Sequence, residues 1–331
     1  MTLRLREVIG QDRTVDALRR AIAGNRVAHA YLFEGINGCG RRTTALALVA
    51  SLFCRQLVAG EACGICPSCK KLVAGNHPDL HLLQPLPDKR DISIEQVREL
   101  QQMLALRPFE APRKACLIEP AERMSTGAAN SLLKTLEEPP GHGLLILLTN
   151  QADLLLPTVR SRCQHLRFAP LDTPDLTALL QQQGMDPAVA ATVAPLAQGS
   201  LDEAYNLNGD EARAERQTVL EALHLARHQQ AATLFDTSER LASGRDETLE
   251  LFDIILSLLR DMLLLHTTPA VRLTNDFLAE KLRVEGERFP PANLIEALEL
   301  ALETRRAVQG NVNPKLALEC FLLRYSRLRI A

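Results

Sequence analysis

The chain has 331 residues, a formal net charge of −2, 46% apolar residues, 4% aromatics and no Trp. That length holds two or three domains with real cores, and the near-neutral charge excludes a global field drawing the chain to nucleic acid or membrane. No apolar run is long enough to span a bilayer and no signal-peptide pattern follows Arg4 and Arg6. A cytoplasmic protein is therefore expected. Its eight cysteines are then thiols or metal ligands, not a disulfide framework.

Residues 1 to 29 read as a loop and an amphipathic helix, with Val15, Leu18, Ala21 and Ile22 at helical spacing and Gly24-Asn25 as the stop. A strand at Tyr31 to Phe33 then enters a glycine-rich loop, and a helix follows through about Leu52. This is the layout of a P-loop, whose backbone N–H groups wrap a phosphate at a helix N-terminus. The pattern asks for Gly-x-x-x-x-Gly-Lys-[Ser/Thr]. Gly35 and Gly40 are in place, with Gly38 between them. Arg41 stands at the lysine position and Arg42 at that of the magnesium-binding hydroxyl, with Thr43 and Thr44 beyond.

Cys54, Cys63, Cys66 and Cys69 follow, with Gly64 and Pro67 shaping turns between them. Four thiolates within reach of one point form the tetrahedral set a closed, structural Zn²⁺ takes. His77 and His81 could be ligands, but four cysteines need none, so both read as loop or strand-edge residues. Residues 76 to 94 look like a polar, Pro-rich loop ending in a short strand at Ile92 to Ile94. A helix from Ile94 to Leu104 follows, with Val97, Leu100, Met103 and Leu104 on one face.

Lys114 to Glu119 is a buried-strand pattern ending on a carboxylate. In an ATPase an Asp here positions magnesium and the next residue is a Glu that activates water. Here the pair is Glu119-Pro120, and Pro120 cannot act as a base. Glu119 is either a solvated strand end or a residual metal ligand. A helix from Thr126 to Glu138 stops at Pro139-Pro140. Leu144 to Leu148 is a third core strand with Thr149 and Asn150 at its end, facing the loop, and Leu166 to Phe168 is another short strand. Strands alternating with helices imply a parallel sheet covered on both faces.

Beyond Pro170 the chain turns Gln/Ala/Leu-rich. Leu176 to Gln183, Pro187 to Leu196 and Asp202 to Leu207 make a small three-helix unit, the last helix capped by Ser200. Residues 211 to 331 read as all-helical. Leu249, Phe252, Leu256, Leu259 and Leu263 form one apolar stripe, which faces the core in the simplest account.

The combination resembles the delta-prime subunits of bacterial DNA polymerase III clamp loaders, a family of the AAA+ superfamily. The pieces that carry the resemblance are Val8-Ile9-Gly10-Gln11, His29-Ala30-Tyr31-Leu32-Phe33, the glycine loop, the four-cysteine insertion, the Asn130 to Pro140 run, Ser161-Arg162-Cys163 and the Asn313 to Glu319 run. The resemblance implies an α/β architecture. An AAA+ P-loop base domain with a parallel sheet and zinc module (54–69) would span 1–169. A helical lid would follow over 170–210, and an all-α collar over 211–331. It implies gamma/tau motor subunits and a delta subunit as partners in a hetero-pentamer, with the sliding clamp and primed DNA reached through that complex. It also implies that Arg162 is donated in trans to a neighbouring motor subunit's ATP. The alternative for Arg162 is a pair with a local acid. Arg41, Arg42, Pro120, and Asp202 (where the family's motors carry a lid arginine) all depart from the motor pattern. Intrinsic ATP hydrolysis is therefore not expected, and weak nucleotide binding stays open. Two other functions compete: an ATP-hydrolysing motor subunit with an atypical P-loop, and a zinc-dependent nucleic-acid-binding module. Against the latter, the cysteine loop has only Lys70 and Lys71 close by and no stacking aromatic.

Overall fold

The computed structural model describes residues 3–87, 89–139, 141–228, 244–267, 273–310 and 312–328. They divide into two compact units with the boundary between Glu203 and Ala204.

The first unit runs α1 (Asp12–Ala23), β1 (Ala30–Glu34), α2 (Arg41–Phe53), α3 (Pro67–Val73), β2 (Leu80–Leu83), α4 (Ile94–Ala105), β3 (Lys114–Ile118), α5 (Thr126–Glu137), β4 (Gly143–Thr149), α6 (Pro157–Arg160), β5 (Gln164–Arg167), α7 (Thr173–Gln182) and α8 (Pro187–Val193). The five strands form one parallel sheet in the order β2-β3-β4-β1-β5. Side chains alternate between its faces. Tyr31, Phe33, Leu117, Ile146 and Leu148 pack with α1, α2 and α3, whereas Leu32, Cys116, Ile118 and Leu147 pack with α4 and α5. A fully buried strand flanked by helices on both sides is what a near-continuous apolar run such as Leu144 to Leu148 encodes.

Three local expectations need correction. The Ile92 to Ile94 strand is a single bridge from Ile92 to Met124. Ser93 instead caps α4, accepting from the Gln96 amide at 3.3 Å while the Gln96 side chain accepts from the Ser93 amide at 3.0 Å. That reciprocal capping box outweighs an isolated apolar triplet. Within the expected 76–94 loop, Leu80–Leu83 is the edge strand β2, and its half-exposed residues explain its weak pattern. The last strand lies earlier than Leu166 to Phe168, at Gln164–Arg167. His81 does sit at the sheet edge. α5 ends at Glu137, and Pro140 lies outside the described residues.

α9 (Leu201–Asn208) crosses the boundary. The second unit is helical throughout its described residues: α10 (Asp210–His228), α11 (Arg245–Thr267), α12 (Ala279–Gly286), α13 (Pro291–Gln309) and α14 (Pro314–Ser326). The expected helical run also includes residues 229–243, which lie outside the described residues. On α11 the stripe does face the core, but its centre is shifted. Leu251, Phe252, Ile255, Leu258, Leu259 and Met262 are buried, and Leu249, Leu256 and Leu263 flank them. The Asn313-Pro314 start of α14 has a local cause. Asn313 caps the helix through the Leu316 amide at 3.1 Å, and Pro314 sits at the first turn where its missing N–H costs nothing.

Candidate functional site

The candidate site has two parts, one at each end of α2. At the N-terminal end, Gly40 is the cap residue with φ 97° and Gly38 has φ 71°, backbone values that favour glycine. Gln11 fixes the loop from behind. Its amide donates to the Cys39 and Ala169 carbonyls at 3.1 and 2.7 Å, and its oxygen accepts from the Ala169 amide. This explains the glutamine of the Val8 to Gln11 run, whose role the sequence alone does not disclose.

The loop borders a cavity of about 370 Å³ lined by Gly38, Gly40, Arg41, Arg42, Thr43, Glu119 and Asp202, among others. Arg42 Nη1 lies 3.2 Å from Glu119 Oε2. A guanidinium thus pairs with the carboxylate that a motor protein would turn toward magnesium. Burial pushes the Glu119 carboxyl above its usual range, while Arg42 and Arg41 pull it down. Arg41 is buried and donates through Nη2 to Asn37 Oδ1 at 2.7 Å. Two cations and two anions, Glu119 and Asp202, leave the cavity without net charge.

The chain itself covers the loop. The Leu201 amide donates to the Gly38 carbonyl at 3.2 Å. A Cβ added at Gly38 would meet the Asp202 amide nitrogen at 2.5 Å and the Leu201 amide nitrogen at 2.7 Å. Ser200 caps α9 as expected, accepting from the Glu203 amide at 3.0 Å. The other expected loop residues serve the frame. Gly35 donates to the Thr149 carbonyl at 3.2 Å and has no room for a Cβ beside Phe168. Thr44 is buried and its hydroxyl donates to the Gly40 carbonyl at 2.8 Å. Asn150 is exposed and lies outside the cavity lining.

At the other end, Cys54 is the C-terminal cap of α2. The sulfurs of Cys54, Cys63, Cys66 and Cys69 all lie within 4.8 Å of one another. Cys63 and Cys69 are 4.0 Å apart, against ~3.8 Å for the edge of a sulfur tetrahedron with Zn–S bonds of ~2.3 Å. The Cys63, Cys66 and Cys69 amides point at the sulfurs of Cys54, Cys63 and Cys66 at 3.3, 3.3 and 3.5 Å. Burial pushes the Cys66 thiol up, but the amides of Cys69 and Arg55 and the neighbouring thiols outweigh it and hold the thiol at about 6. Burial raises Cys69. The donor set, its spacing and its inward amides fit a closed four-thiolate metal site.

This module is sewn to the base. Arg4 donates to the Ala62 and Cys63 carbonyls, both at 3.0 Å. Buried Glu61 accepts from the Leu5 amide and pairs with Arg19.

Arg162 lies after α6, half-exposed. Its Nη2 is 2.5 Å from Glu137 Oε1, and its Nη1 donates to the Thr158 carbonyl at 3.0 Å. In the free chain it therefore has the local acid partner that the plainer alternative named.

A parallel sheet with a glycine loop after strand β1, a helical segment across that loop and a four-cysteine insertion define an α/β base of the P-loop kind. A family model described as "DNA polymerase III, delta subunit" matches residues 10–172, and one for that subunit's C terminus matches residues 210–327. The DNA polymerase III subunit delta' of Bacillus subtilis is 32% identical over 317 residues, covering 95% of each chain. That of Pseudomonas aeruginosa is 34% identical over 91% of this chain and 92% of its own. The gamma/tau subunit of Mycobacterium tuberculosis is 29% identical over 95% of this chain but only 59% of its own length. The chain belongs to the DNA polymerase III delta-prime family. No helix among the described residues is long and apolar enough to cross a membrane.

Proposed function

We propose that the chain is a non-catalytic subunit of a DNA polymerase III clamp loader. It would act as the stator against which gamma/tau motor subunits and a delta subunit assemble, in a hetero-pentamer that places a sliding clamp on primed DNA. In this reading residues 1–169 are the base, 170–210 the lid and 211–331 the collar.

The observation that carries the reading is the Arg42–Glu119 pair. It sets a half-exposed guanidinium against the carboxylate that a motor would turn toward Mg²⁺, while Arg41 replaces a compact ammonium with a bulkier guanidinium. Together with Pro120 and Asp202, it supports a loop that does not hydrolyse ATP. A second reading, weak phosphate binding without Mg²⁺, is favoured by one feature only: Arg41 Nη1 is buried without a hydrogen-bond partner.

Arg162 is proposed to leave Glu137 on assembly and reach the neighbour's γ-phosphate. An exposed ion pair is worth only ~0–1 kcal/mol, so exchanging partners is cheap. Cys54, Cys63, Cys66 and Cys69 are proposed to hold one structural Zn²⁺, which supplies a tetrahedral cross-link and no chemistry.

The first test is ATP turnover by the purified chain with Mg²⁺. None is expected, and steady turnover would return the motor reading. The second is Arg162→Ala in the assembled complex. Turnover by the partner motors should fall by ~10³-fold with assembly intact. Unchanged turnover in an intact complex would remove the finger.

A further inference from the structure

Beside the cysteine cluster lies a buried polar network that the zinc reading does not use. His77 has a fully buried side chain and packs at a tilt against Phe53, with ring centroids 4.8 Å apart. Its Nδ1 accepts from the Asp79 amide at 3.1 Å. The ring proton therefore sits on Nε2, 3.0 Å from Ser68 Oγ and 3.3 Å from Glu110 Oε1. Ser68 lies on α3 between two of the cysteines. Glu110 also takes Lys71 of α3 through both oxygens at 2.8 Å. From the other side, the Asp79 carboxylate accepts from the amides of Phe109, Glu110 and Ala111 at 2.6, 2.8 and 2.9 Å. One imidazole thus joins α3, which is capped by Cys66 and contains Cys69, to the start of β2 and to the segment before β3.

We propose that His77 is a positioning residue for the metal site: it is not a ligand, but through Ser68 and Glu110 it fixes the rotation of α3 that aims Cys66 and Cys69 at the metal. The inference rests on the reading that the four cysteines hold zinc. Partners one step out from metal ligands typically hold ~10–100-fold of the affinity. His77 reaches the ligands through the seven-residue helix between them, so the low end applies.

The test uses the full chain loaded with zinc and titrated with a competing chromogenic chelator, with circular dichroism as a check on folding. Zinc affinity should fall by about tenfold in His77→Asn, which keeps an acceptor near the Asp79 amide but cannot reach Ser68 and Glu110. Ser68→Ala, which removes one partner of Nε2 and no other bond, should fall in the same direction and keeps the test alive if the histidine variant does not fold. Folded variants that hold zinc as tightly as the parent would overturn the inference. A parent chain that binds no zinc would instead overturn the metal reading itself.

Discussion

Helix α2 starts in a loop whose Gly38 carbonyl is bonded to the Leu201 amide, and it ends, thirteen residues later, on Cys54. The two ends differ in what their polar groups face. At the cysteine end, amides point at sulfurs, Glu61 and Arg4 tie the loop to the N-terminal segment, and His77, Asp79 and Glu110 close the next layer. Each of these groups has a partner that is buried or backbone. At the glycine end Gln11 holds the loop by its backbone, but the side chains lining the cavity are charges that cancel: Arg42 against Glu119, with Asp202 beside them. Buried, directional bonds make a site rigid, whereas a half-exposed ion pair contributes little. The cysteine end is tied down by buried bonds, whereas the cavity at the glycine end is lined by charges that pair with one another.

The comparison can be broken first at the cysteine end. Cys66→Ser should lose zinc and cost the base ~3–5 kcal/mol, or ~10 °C in melting temperature, because structural zinc binding is folding energy. Metal analysis with a thermal melt checks both. An unchanged melt would make the module an ornament.

Asp79→Asn comes next. It replaces an acceptor of three amides with a group that presents its own donors, and should cost ~1–3 kcal/mol by urea unfolding at pH 7. Burial pushes the Asp79 carboxyl up, but the three amides outweigh it and hold it below 3.8. Its folded value lies below its unfolded one, so its stabilisation is fully present above about 3.8 and is lost as pH falls through the folded value. The wild-type chain should therefore lose stability faster than Asp79→Asn on acidification below 3.8.

At the glycine end, Gly38→Ala should cost ~1 kcal/mol or more, since it adds a Cβ at positive φ against the Asp202 and Leu201 backbone. Arg42→Ala should be the mildest, within ~1 kcal/mol, because its guanidinium is half-exposed. A large loss there would give the glycine end a structural weight equal to that of the cysteine end.

Much of this was legible in the residues. Apolar runs such as Leu144 to Leu148 declare buried strands, and four cysteines in one short loop declare their own convergence. What stayed hidden depended on contacts between distant segments. β2 is half-exposed and broken by His81, so its pattern is weak. The Ile92 triplet looked like a strand because the Ser93–Gln96 capping box is a local signal of similar length that wins once the helix forms. Gln11 and His77 are single polar residues in loops, and only the fold shows that each bonds to two or more separate segments. Glu137 stands in the Asn130 to Pro140 run, but its pairing with Arg162 crosses from α5 to the end of α6 and is visible only in the fold.

The contact between Gly38 and Leu201 also bears on what it would take to make the loop a working one. Writing lysine and threonine back at positions 41 and 42 would restore the letters of a working loop while Ser200 to Asp202 still lay across it. Turning the proposed stator into a motor would therefore take changes in two stretches far apart in sequence, the loop at 41 and 42 and the segment at 200 to 202 that is bonded to it.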